Sequence, residues 1–207
     1  QALRRKEWRL LLRDPWLVSQ TLMQLLYLIP PALLLWLNFG EGNSALVIVV
    51  PVLVMAAGQL AGGLAWLAIS GEDAHDLVTT APLTAATILS AKVEAVLIAV
   101  GTIMAPLLAL LAFTAWWPAL VAALCAGAAA SASTAIQLWF RMPQRRSMFR
   151  RRQVASRAAT LCEALSSIMW AGTGALAAAG SLLAIGPAML ALVTLALARF
   201  LSPRHNG

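Results

Sequence analysis

ALVIVVPVLVMAAGQLAGGLAWLAIS, residues 45–70, contains no Asp, Glu, Lys or Arg, and it lies between the turn-rich stretch NFGEGNS (38–44) and the acidic stretch GEDAHD (71–76). At about 1.5 Å per residue a helix of this length reaches about 39 Å, more than the ~30 Å hydrocarbon core of a bilayer. Backbone amides in hydrocarbon find partners only within a helix or a closed barrel, and a continuous apolar run without alternation selects the helix. This segment therefore reads as a transmembrane span.

The same reading extends in both directions. Residues 16–37 are uncharged, with Trp16 and Trp36 as interfacial anchors at the two ends and Pro30-Pro31 placed to kink or shorten the helix. Residues 93–113 and 119–140 are two further spans, with Trp116-Trp117-Pro118 as the tight turn between them. The last apolar stretch, 158–201, is too long for one helix, and Gly180-Ser181 followed by Gly186-Pro187 divides it into 158–179 and 182–201. The expectation is an all-α polytopic membrane protein of six transmembrane helices occupying residues 15–207. An amphipathic helix over residues 1–14 precedes them, with Arg5, Arg9 and Arg13 on one face and Trp8 among the leucines opposite.

Composition agrees with this layout. Of 207 residues, 61% are hydrophobic and 11% charged, with a mean hydropathy of +0.81. Those values exclude a disordered chain or a nucleic-acid-binding domain, so the net charge of +7 is a matter of topology rather than of a polyanion partner. With six spans and both termini on one side, all 15 Lys and Arg fall on that side, seven of them within the basic loop 141–157. The positive-inside rule then makes both termini cytoplasmic in a multi-pass protein of the bacterial inner (plasma) membrane. Anionic lipids are the expected partners of the N-terminal helix and the basic loop, and no nucleic acid is implied.

The chain carries no G-x-x-x-x-G-K-[ST] phosphate loop, no H-E-x-x-H and no G-x-S-x-G, so no catalytic residue, metal site or cofactor is assigned to it. His75 and His205 are the only imidazoles, and Cys125 and Cys162 lie at different depths, which makes them packed thiols rather than a disulfide. Two carboxylates, Glu94 and Glu163, lie near or inside spans, where a charge calls for a partner. Folding 158–201 about Ser181 brings Glu163 level with Arg199, so Glu163 reads either as half of an intramembrane ion pair or as a coupling or substrate residue. Glu94 reads as interfacial, with a proton relay left open. Gln20, Gln24, Gln59 and Gln137, with Ser133 and Thr134, make the cytoplasmic half the wetter one, either as a candidate cargo path or as interhelical hydrogen bonds. Gly58 and Gly62 satisfy G-x-x-x-G and read as close helix packing.

The segment 71–91 differs from its surroundings. It combines an acidic start, a small apolar patch at Leu77 and Val78, a break at Pro82, and Thr84 placed to cap a helix leading to Lys92. It reads as a short ordered element on the cytoplasmic face, joined closely to spans two and three. R-K-E-W-R-L-L-L-R-D-P at residues 5–15 and G-E-D-x-x-D-L-x-x-x-A-P-L-T-x-x-x-I-L-x-A-K at residues 71–92 resemble the ABC-2-type ABC transporter permeases. The resemblance covers the six-span layout of nearly the whole chain. It implies that residues 1–14 are an interface helix and that 72–80 form the coupling helix, with Glu72, Asp73, Asp76, Leu77 and Val78 contacting an ABC ATPase subunit that binds ATP and Mg²⁺. It also implies a non-enzymatic export subunit and a second permease half, supplied by a homodimer or by an N-terminal half of a longer permease. The chain departs from the family where additional helices often sit between spans five and six, for which 158–201 has no room. A proton-coupled secondary transporter built on Glu94 and Glu163 is the alternative reading.

Overall fold

A computed structural model describes residues 19, 44–70, 85–140 and 157–202. Among them the chain is helical throughout and contains no strand. The elements in order are α1 (Ser44–Ser70), α2 (Ala85–Thr114), α3 (Trp116–Trp139), α4 (Arg157–Ala178), a 3₁₀ turn (Leu182–Ala184) and α5 (Ile185–Leu201). Five stretches are long and apolar enough to cross a membrane, one each in α1 to α4 and one formed by the 3₁₀ turn with α5. They correspond to the second to sixth expected spans. The first span (16–37) apart from residue 19, the interface helix (1–14), residues 71–84 of the coupling segment and residues 141–156 of the basic loop lie outside the described residues.

Two boundaries differ from the sequence reading. The helix expected to lead up to Lys92 and the span expected over 93–113 are one element: α2 runs unbroken from Ala85 to Thr114, with Lys92 and Glu94 inside it. Ala85 to Ala91 holds neither Pro nor Gly, and Pro82 is the last residue before it able to stop a helix. At the other end of α2, the turn contracts to Ala115 alone, whose extended backbone (φ −155°, ψ 111°) breaks the helix, and Trp116 already belongs to α3. Pro118 then lies in the first turn of α3, where its missing amide hydrogen forfeits no helical bond.

The α4–α5 hairpin has a sequence cause that the structure makes explicit. Gly180 takes a left-handed conformation (φ 73°), while Ser181 N donates to Leu176 O (2.9 Å) and Gly180 N donates to Ala177 O (3.0 Å). This is a Schellman ending, which satisfies two otherwise orphaned carbonyls and favours glycine at that position. Ser181 Oγ accepts from Leu183 N at 3.3 Å and starts the 3₁₀ turn.

Consecutive helices run antiparallel, which gives the bundle two unlike ends. The end formed by Trp116, Trp117 and the α4–α5 hairpin holds no described charged residue. All five described charged residues, Lys92, Glu94, Arg157, Glu163 and Arg199, lie toward the opposite end. α1 packs most extensively against α3 and next against α4; α2 and α5 turn exposed apolar faces outward, Phe113 being 90% and Phe200 78% exposed. The main core gathers Val50, Val54, Ala57, Ala61, Val96, Ala122 and Ala129. A second cluster at the charged end joins Ile136, Phe140, Ala159, Cys162 and Ala198.

Small residues bring the central helices together. A β-carbon on Gly58 would stand 2.6 Å from Ser167 Oγ, and one on Gly62 would overlap the Glu163 carboxylate. Toward the other end the relation inverts, and Gly174 of α4 admits Val50 and Val54, which would lie 3.1 and 3.4 Å from a β-carbon there. Each helix thus supplies a notch for the other's side chains. The apolar solvent of a bilayer offers little reward for burying apolar surface, so such close packing has to supply much of the association energy.

A polar seam at the charged end

Four side chains organise the charged end. Glu163 enters from the second turn of α4, facing Gly62 of α1, and its Oε2 accepts a hydrogen bond of 2.6 Å from Gln137 Nε2 of α3. The bond is charge-assisted, and in surroundings poor in water it is worth more than a neutral pair. Without a β-carbon at position 62 the carboxylate fits against the backbone of α1, so this side chain stands where three helices meet.

Ser167, one turn beyond Glu163, faces Gly58, one turn before Gly62. G-x-x-x-G on α1 therefore meets E-x-x-x-S on α4 in register. Ser166 and Ser133 complete the polar set, Ser133 lying one turn before Gln137 on α3. Ser133, Ser166 and Ser167 are at most 1% exposed, and none of the three hydroxyls has a hydrogen-bond partner. Thr134 and Thr173, by contrast, donate back to Ala130 O (2.7 Å) and Met169 O (2.9 Å) within their own helices.

Lys92 is the second organising residue. It is 6% exposed, and its Nζ donates to Ala68 O at 2.8 Å. Ala68 lies in the last turn of α1, where carbonyls have no amide partner within the helix and where the helix dipole favours a cation. Lys92 therefore caps the end of α1 from two turns inside α2.

Arg199 lies over the Trp139 ring, 5.1 Å from its centroid. On α3, Gln137 meets Glu163 and Trp139 meets Arg199. Glu94 is half-buried on α2, and Gln59 is on an exposed side of α1, about 100° around the helix from Gly58. The structure thus brings together Gln137 and Glu163 and leaves Gln59 apart from them. Gln20, Gln24, Arg5, Trp8, Arg9, Arg13, Glu72, Asp73, Asp76, Leu77 and Val78 lie outside the described residues. Cys125 and Cys162 are both buried, free thiols.

Two features escape the sequence reading. The cap on α1 has a signal only in hindsight, a lysine immediately before an expected span. Ser166-Ser167 offered a stronger one, since positions three and four after an intramembrane glutamate share its face. At the uncharged end, an open groove of about 550 Å³ between α2 and α3, lined by Leu108, Ala112, Trp116 and Leu120, is apolar and offers no polar chemistry. Comparison of the chain with protein-family models, with curated proteins and with solved structures returns no match.

Proposed function

We propose that this chain is the membrane subunit of an ABC-type exporter in a bacterial inner membrane, a non-enzymatic bundle that converts ATP hydrolysis on a separate subunit into movement of its transmembrane helices. The observation that supports the reading is the Lys92–Ala68 cap. The segment 71–84, with Glu72, Asp73, Asp76, Leu77 and Val78, is the part that resembles a coupling helix, and its two flanking helices are fastened to each other by Lys92, two turns inside α2. A push delivered to that segment moves α1 and α2 together instead of spreading them. The charge distribution fits as well, because every described Lys and Arg lies toward the end from which that segment emerges.

The test is affinity purification of the solubilised protein from its native membrane, with identification of what co-purifies and an ATPase assay. A stoichiometric nucleotide-binding subunit, lost when residues 72–76 are charge-reversed, is the expected result. Glu72→Lys, Asp73→Lys and Leu77→Trp should each uncouple ATPase from transport in folded protein, and unchanged transport in all three would remove the coupling assignment. The placement of Glu163 within the bundle favours a second reading, a proton-coupled secondary transporter using Glu94 and Glu163. Transport that survives ATP depletion and collapses with the proton gradient would select it.

A further inference from the structure

Arg199 is exposed in the last turn of α5, yet its guanidinium has a defined place, 5.1 Å from the ring centroid of half-buried Trp139, the last residue of α3. Its neighbour Ala198 packs with Ile136 and Phe140, which sets the register of the two helices at this level. A ring face attracts the charge of the cation and narrows the directions its planar fork can take, but it gives the N–H donors no acceptor. Among the described residues no carboxylate or carbonyl accepts from them. Beside Arg199, α5 exposes Met189, Leu192, Val193, Ala196 and Phe200, spaced three and four residues apart and hence on one face. From Met189 to Phe200 the strip runs about 16 Å, close to one leaflet of a ~30 Å hydrocarbon core. Where helices of this bundle meet closely they do so at Gly58, Gly62 and Gly174. The α5 strip has no such notch and is mostly large side chains, a surface suited to acyl chains rather than to another helix.

We propose that Arg199, positioned by Trp139, binds the phosphodiester of an anionic phospholipid whose acyl chain lies along the Met189 to Phe200 strip of α5. An arginine fork takes two phosphate oxygens at once, and the headgroup then sits where the apolar strip ends. A zwitterionic phospholipid brings its own cation to the phosphate and competes with Arg199, so the site favours net negative charge. This is a defined site between α3 and α5, unlike the attraction of anionic lipid to the N-terminal segment and the basic loop, which depends on charge alone. It rests on the helices lying in a bilayer and not on what powers transport, so its failure and that of the exporter reading are separate results.

The experiment uses the purified full chain in mild detergent, with dioleoylphosphatidylglycerol as the probe and native mass spectrometry counting the lipids bound. One lipid per chain should bind ahead of the rest. Arg199→Gln should weaken that step about tenfold, and Trp139→Leu, which leaves every charge in place, about threefold. Arg9→Gln removes the same charge from the N-terminal segment and should leave the step unchanged. Dioleoylphosphatidylcholine should bind about tenfold more weakly, and excess inorganic phosphate should not displace the lipid. Where Arg199→Gln fails to fold, Arg199→Lys takes its place: it keeps the charge, gives up the fork and should lose about threefold. An unchanged Kd in the Arg199 variant or in Trp139→Leu would overturn the site. A loss in Arg9→Gln as large as in Arg199→Gln would overturn it too, by making the attraction one of net charge. Displacement by inorganic phosphate would make a free anion the ligand and overturn the lipid assignment.

Discussion

The Glu163 carboxylate lies against Gly62 so closely that a β-carbon on Gly62 would occupy its space. The carboxylate accepts from Gln137 and packs against the α1 backbone at Gly62. Gly62→Ala should therefore destabilise the bundle by about 2–3 kcal/mol, through overpacking and displacement of a charged hydrogen bond. Gly127→Ala is the control, since a β-carbon there meets nothing within 4 Å; it should be neutral or stabilising by up to about 1 kcal/mol. Unfolding midpoints in detergent distinguish the two.

The bond from Gln137 to Glu163 should appear as an energetic coupling. Gln137→Leu leaves a carboxylate in the seam without this donor and should cost about 2–3 kcal/mol. In a cycle with Glu163→Leu, the double variant should lose less than the sum of the singles by about 1.5–3 kcal/mol. Additive losses would show that the two residues act independently.

The cap provided by Lys92 can be removed while most of the stem's packing is retained. Lys92→Met should cost about 1.5 kcal/mol, because it deletes the donor to Ala68 O and leaves that carbonyl without its cation. Its more specific consequence concerns the base of segment 71–84. Amide hydrogen exchange at the end of α1 should accelerate in Lys92→Met, while exchange in α3 stays as it was.

At the uncharged end, Trp117 Nε1 donates to Ala177 O at 3.1 Å, tying the start of α3 to the end of α4. Trp117→Phe keeps an aromatic ring and loses only the donor. Because the site is half exposed, the loss should be at most about 1 kcal/mol, measurable as a Tm decrease of about 2–4 °C.

Sequence and structure part company where contacts between helices decide. The spans could be read because hydrocarbon imposes one requirement, internal satisfaction of every backbone amide, and an uncharged run such as residues 45–70 announces it. The α4–α5 hairpin was legible for a similarly local reason, Gly180. The bond from Gln137 to Glu163 was not, because whether a side chain reaches α3 depends on helix rotation, and rotation here follows from Gly58 and Gly62. Those glycines read as packing in the sequence, though what they pack against was legible only in three dimensions. That the helix leading to Lys92 and the span after it are continuous was less legible, because Lys92 and Glu94 look like the edge of a span, yet helix propensity does not stop at a charge.

A rod of 30 residues measures about 45 Å, and α2 is such a rod, fastened at Lys92 to its neighbour and followed after Thr114 by a one-residue turn. It exceeds the hydrocarbon thickness by about 15 Å. In a bilayer it therefore has to lean, or else leave about ten residues projecting into the aqueous phase. Lipid thickness then becomes a mechanical input: acyl chains two carbons shorter should increase the lean of α2 and, through Lys92, shift the end of α1 with it, so the resting geometry of the bundle is set in part by hydrophobic mismatch with its own membrane.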